Sequence, residues 1–168
     1  IFRYCSDPEP GIRQAAVYGI GAAGKSGGSN FAPMCTEAVE HVTRLISRSN
    51  NPRDIDAAFI TDNAVSALGM ICEYQSQNVD ASRLLPLWLS YLPFKADLDE
   101  YEPSCARLCS FIENNNNYLL GNNRSNLPSI IRVLSESVTV VAEPLQLRLK
   151  QVLQELKSTL SKETLSSV

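Results

Sequence analysis

Residues 12–21 return in altered form 48 positions later, at residues 60–69. Ala16 lands on Ala64, Val17 on Val65, Ile20 on Leu68 and Gly21 on Gly69. A weaker echo lies 41 positions further on, where Ala64, Val65, Leu68 and Ile71 fall on Cys105, Ala106, Cys109 and Ile112. An internal period of about 40 to 50 residues is the mark of a helical solenoid. Each unit carries an apolar face that it cannot bury alone, so copies must stack. A stack of this kind is a surface for holding other proteins, which turns the question from reaction to partner.

The rest of the chain reads as helix. Pro8 and Pro10 precede the first repeat segment, as at a helix start, and that helix is expected to end near Gly24. Gly27, Gly28 and Ser29 make a turn, with Asn30 as the expected N-cap of the next helix. There Met34, Cys35, Ala38, Val39, Val42, Leu45 and Ile46 form one apolar stripe at spacings of three and four. Glu37, Glu40, His41, Arg44 and Arg48 occupy the opposite, solvent face.

Asn50-Asn51-Pro52 breaks the chain, and a helix from about Asp54 is expected to bury Ile55, Ala58, Phe59, Val65, Leu68 and Cys72. A short helix follows Asp80, with Pro86 expected in its first turn. Leu98, Tyr101, Cys105, Leu108 and Ile112 mark a fifth. The asparagine-rich stretches 114–117 and 121–123 are loop, suited to left-handed geometry. Helices over about 127–141 and 144–160 complete the chain, the last with Leu145, Leu149, Val152, Leu153, Leu156 and Leu160 on one side.

Gly19-Ile20-Gly21-Ala22-Ala23-Gly24-Lys25-Ser26 is a literal phosphate-loop match. A working phosphate loop needs a buried strand before it and a helix starting at the Lys-Ser. Here the preceding residues read as helix, and Gly27-Gly28-Ser29-Asn30 starts a helix poorly. A partner aspartate, Asp62, sits inside a helical period. Small residues that let two helices approach closely explain the glycines better, and a P-loop nucleotide-binding protein is only a minor alternative.

Composition excludes other classes. A net charge of −3 argues against a nucleic-acid binder. The longest nearly apolar run, residues 15–24, is too short to span a bilayer. Five cysteines, an odd and scattered set within apolar periods, suit free buried thiols in a reducing compartment. Cys105 and Cys109 stand four apart, but one histidine and no second cysteine pair leave no metal site to expect. The Asn123-Arg124-Ser125 glycosylation triplet carries little against that cysteine usage. No catalytic constellation and no cofactor motif remains, so the chain is expected not to be an enzyme. Asp97, Asp99, Glu100 and Glu102 cluster at a helix start, where carboxylates suit the helix dipole or face a partner.

Five segments carry a family resemblance: residues 12–21, 62–69, 85–93, 108–113, and 120–123 leading to Asn126-Leu127-Pro128. In this order and spacing they resemble the C-terminal HEAT repeats of the karyopherin-β (importin-β superfamily) nuclear import receptors, most of all the beta-three branch. The resemblance covers about residues 7–135. It implies an all-α, armadillo-type superhelix of three to four antiparallel helix pairs, with repeats near 8–48, 54–93 and 97–141 and a capping helix near 144–160. It further implies a non-catalytic C-terminal fragment of a receptor that shuttles between cytoplasm and nucleus. Such a receptor carries cargo with basic signals through nuclear pores, meets nucleoporin phenylalanine-glycine repeats and is controlled by Ran. Ran's main site in that family lies in N-terminal repeats, so this stretch is not expected to bind it. The resemblance places Glu37 and Glu40 on the concave, cargo-facing side. A HEAT scaffold or regulatory subunit of another complex is the alternative. The first residue is Ile1 rather than Met, so a longer protein is expected. The stripe Ile12, Ala16 and Ile20 is then an exposed end prone to self-association.

Overall fold

A computed structural model describes the backbone of residues 1–48 and 55–166 and the side chains of residues 1–48 and 55–158. The expected break at Asn50-Asn51-Pro52, the helix start at Asp54 and the Leu160 side chain lie outside these described residues. Eight α-helices follow one another, and no strand occurs among the described residues. They are α1 (Pro10–Ser26), α2 (Cys35–Arg48), α3 (Ile55–Tyr74), α4 (Ala81–Ser90), α5 (Leu98–Glu113), α6 (Asn117–Leu120), α7 (Leu127–Ser137) and α8 (Leu145–Ser166). Short 3-10 turns fill several of the connections.

Alternate elements fall into two layers. In one, α1 packs on α3, α3 on α5 and α5 on α8. In the other, the Phe2–Ser6 turn meets α2, and α4 meets α6 and α7. This is the all-α, HEAT-type stack that the period implies. The central member is α3, which touches α1, α2, α4 and α5. Its residues from Ile60 to Cys72 are all buried. By length and composition α3 could cross a membrane, although its apolar residues are interrupted by polar ones and form no long unbroken run. It is instead the core helix of the stack.

A close joint lies between α1 and α3. A methyl group on Gly21 would stand 2.8 Å from the Ala67 Cα, and one on Gly24 would stand 2.9 Å from Ile71 Cγ1. Glycine at these positions lets the two helices touch backbone to side chain. At the far end of the joint, buried Gln75 donates from Nε2 to the carbonyls of Gly24 (3.0 Å) and Gly28 (3.1 Å). It thereby closes the α1–α2 turn against the end of α3. Gly28 has φ +51° with open space around it, so its backbone conformation is what the position requires.

Several local expectations change. Asn30 does not cap α2, because two 3-10 turns, Gly28–Asn30 and Ala32–Met34, precede its start at Cys35. Met34, Ile55 and Leu98 are exposed, not core; each stands at or just before a helix's first residue, where the chain has not yet reached its neighbours. Pro86 lies in the second turn of α4, and α4 is still short. Residue 141 does not belong to α7, which ends at Ser137 ahead of the β-branched run Val138-Thr139-Val140-Val141. Within the asparagine-rich stretch, Asn117 opens the single turn α6 under a cap from Asn116. Asn115 and Asn123 do adopt left-handed φ values of 49° and 52°. Ala16 and Ile20 are buried, so the stripe expected to self-associate reduces to Ile12. His41 is half-buried, its ring stacked on Phe2 with centroids 5.4 Å apart.

Candidate partner-binding cleft

Three elements converge on a cleft of about 450 Å³. From α1 it takes Gly11, Gln14, Ala15 and Tyr18; from α3, Asn63; from the start of α5, Asp97, Asp99 and Glu100. Tyr18 is 51% exposed and forms an aromatic wall.

The acidic side is built by capping. Asp62 of α3 is buried, and its Oδ2 accepts the backbone N–H groups of Lys95 (2.9 Å), Ala96 (2.7 Å) and Asp97 (3.0 Å). Those bonds fix the chain just ahead of α5. Asp97 is the N-cap and accepts from the N–H of Asp99 (3.1 Å) and of Glu100 (3.2 Å). Asn63 Nδ2 donates to the second Asp97 oxygen and to the Phe59 carbonyl. Ser66 donates to Glu100.

The candidate carboxylates therefore divide. Asp97 is buried and spent on structure. Glu100 is half-buried and tied to Ser66. Asp99 is exposed and lines the cleft from the first turn of α5. Glu102 lies outside the cleft and accepts the Ala142 N–H at 2.8 Å, fixing the turn before α8. Glu37 and Glu40 are exposed on α2, as expected, on a separate surface; Glu37 stands 3.9 Å from His41 Nε2. Reading the sequence for carboxylates missed Tyr18, Gln14 and Asn63. The available signal was the polar and aromatic residues inside an otherwise apolar repeat.

The phosphate-loop match lies wholly within α1, and the helix continues to Gly27, whose N–H donates to Ala23 O at 2.8 Å. Backbone N–H groups committed to a helix cannot cradle phosphates, so the nucleotide-binding alternative falls. Lys25 instead reaches over the Tyr74 ring, 5.9 Å from its centroid. All five cysteines are free and buried. Burial pushes the Cys109 thiol up to about 11 and the Cys72 thiol to about 12, and raises Cys105. Among the described residues no group of three or more His, Cys, Asp or Glu could hold a metal ion.

No family model matches the chain. Over 93 residues it is 34% identical to a probable importin-5 homolog of Dictyostelium discoideum. The chain is similar to an importin. The matched residues are 53% of this chain and 9% of that relative, so the chain spans under a tenth of the relative's length. The likeness suggests the importin-β family.

Proposed function

We propose that the chain is a run of HEAT repeats from an importin-β nuclear transport receptor of the beta-three branch. Its task is to hold protein, without catalysis, while the receptor shuttles between cytoplasm and nucleus. Cargo with basic signals is one partner, and nucleoporin phenylalanine-glycine repeats are another; Ran acts on the receptor through other repeats. The observation that carries this reading is the importin likeness of a two-layer helix stack whose cleft joins an exposed tyrosine to an exposed aspartate. A lysine or arginine side chain suits such a cleft. Its stem lies along Tyr18, and its charge meets Asp99, with Glu100 behind. Glu37 and Glu40 add long-range attraction that salt screens.

Fluorescence anisotropy with a labelled lysine- and arginine-rich peptide tests the cleft. Asp99→Lys should weaken binding several-fold at low salt, and Tyr18→Ala should weaken it at any salt. Reversal of Glu37 and Glu40 should act at low salt alone. Equal binding by the wild type and Asp99→Lys at low ionic strength would sink the cleft as the site. Sub-micromolar capture of Ran·GTP by residues 1–168 would overturn the placing of Ran elsewhere.

A further inference from the structure

Helices of the α1–α3–α5–α8 layer are joined in chemically different ways. Between α1 and α3 the joint is apolar contact at the limit of approach, Gly21 on Ala67 and Gly24 on Ile71. Between α3 and α5, Arg107 Nε donates to Glu73 at 2.8 Å, and the Arg107 side chain is only 6% exposed. Between α5 and α8 the polar contact reaches the surface. Arg148 Nε donates to Glu113 Oε1 at 3.0 Å, and Nη2 donates to Oε2 at 2.6 Å and to Ser110 Oγ at 2.9 Å. The Arg148 and Glu113 side chains are 36% and 39% exposed. Beside this fork runs an apolar strip, Leu149, Val152 and Leu153, all buried.

We propose that the α5–α8 joint is a salt-sensitive hinge. In it α8 pivots on Leu149, Val152 and Leu153 when the Arg148–Glu113 fork opens, while the α1–α3 joint stays shut. Two parallel N–H···O bonds between a guanidinium and a carboxylate set an angle as well as a distance, so the fork fixes the tilt of α8. Its exposure lets counter-ions compete. The screening length falls from about 10 Å at 0.1 M salt to about 3 Å at 1 M. Contact between Gly21 and Ala67 has no charge for salt to screen, and in the Arg107–Glu73 pair the guanidinium is buried, with side chains 6% and 28% exposed against 36% and 39% in the fork. The corner ahead of α8 is held by the Glu102 carboxylate, which accepts the Ala142 N–H at 2.8 Å, and by two uncharged bonds that salt leaves in place: Gln146 Nε2 donates to Val138 O at 2.8 Å, and Gln146 N donates to Ala142 O at 3.1 Å. A fixed corner, an apolar pivot and a releasable fork are the parts of a hinge. Its consequence is that the tilt of the last described helix responds to ionic competition, from salt or from a basic partner, while the first two helices of the layer move as one.

Hydrogen–deuterium exchange by mass spectrometry on the whole 168-residue chain, at 50 mM and 1 M NaCl, tests this. The expected result is about a three- to fivefold rise in exchange at high salt for amides of residues 145–158, the scale of a partly exposed ion pair, with no change in 10–26 or 60–74. Arg148→Gln should show the raised exchange at both salts and lose the salt response, with unchanged far-ultraviolet circular dichroism. Glu113→Gln should behave alike, so one variant that misfolds leaves the other to read. The charge-swapped pair, Glu113→Arg with Arg148→Glu, should restore the wild-type response. A uniform response along the chain, no response at 145–158, or a salt response that survives both single variants would overturn the hinge.

Discussion

Gly21 of α1 rests on Ala67 of α3 so closely that an added methyl group would stand 2.8 Å from the Ala67 Cα and 2.9 Å from its Cβ. The clash would be with backbone and with a side chain that cannot turn away. Glycine inside a helix costs about 1 kcal/mol against alanine, and here the cost is repaid as close packing.

Gly21→Ala should therefore destabilise the chain by about 1–3 kcal/mol, the usual range for overpacking, despite its better helix propensity. Gly11 lies near the start of the same helix with nothing within 4 Å of an added methyl. Gly11→Ala should be neutral or should stabilise by about 0.5 kcal/mol. Urea unfolding of the two variants reads the difference. Similar midpoints would show that α1 and α3 are not in close contact.

Asp62 supports the start of α5 through three backbone N–H groups. Asp62→Ala should cost about 2–3 kcal/mol, because buried donors are left without an acceptor. Asp62→Asn keeps one acceptor oxygen and should cost less. The loss should appear first as faster amide exchange at residues 95–100. A change confined to the middle of α3 would contradict the capping role.

Acid should weaken the α5–α8 contact. The hydrogen bond from Arg148 holds the Glu113 carboxyl below its usual range, outweighing its partial desolvation. A depressed carboxylate pKa contributes stability that is full above the unfolded value. That stability is lost as pH falls through the folded one. Both side chains are more than a third exposed, so the contribution is small after solvent screening. Stability against pH below the ordinary glutamate range should fall less steeply in Arg148→Gln than in the wild type. Parallel curves would rule out this linkage.

Cysteine alkylation should be slow in the native state. Burial lifts Cys72 to about 12 and Cys109 to about 11, which removes thiolate as well as access. Iodoacetamide at neutral pH should label the chain only after denaturant is added. Rapid native labelling of Cys72 or Cys109 would show that the core opens more readily than this packing allows.

The sequence by itself determined the longer helices, their repetition, the thiols' burial and the role of the glycines as contact points. These are legible because apolar periodicity reports the inward face of each helix, and a glycine in a repeat marks a place with no room for a side chain. Periodicity is measured about a helix's own axis, however, and says nothing about which neighbour arrives or how far it extends. Met34, Ile55 and Leu98 fit apolar stripes yet remain exposed, since they stand where each helix has only begun. The acidic cluster shows the same limit from the other side. Asp97 disappears into a cap, Glu102 reaches across to Ala142, and Asp99 alone of the three stays exposed without a side-chain bond. Those fates depend on Asp62 and Asn63 from one helix away and on the turn before α8. A buried carboxylate is tolerated only where distant backbone N–H groups converge on it, and only tertiary packing brings them there.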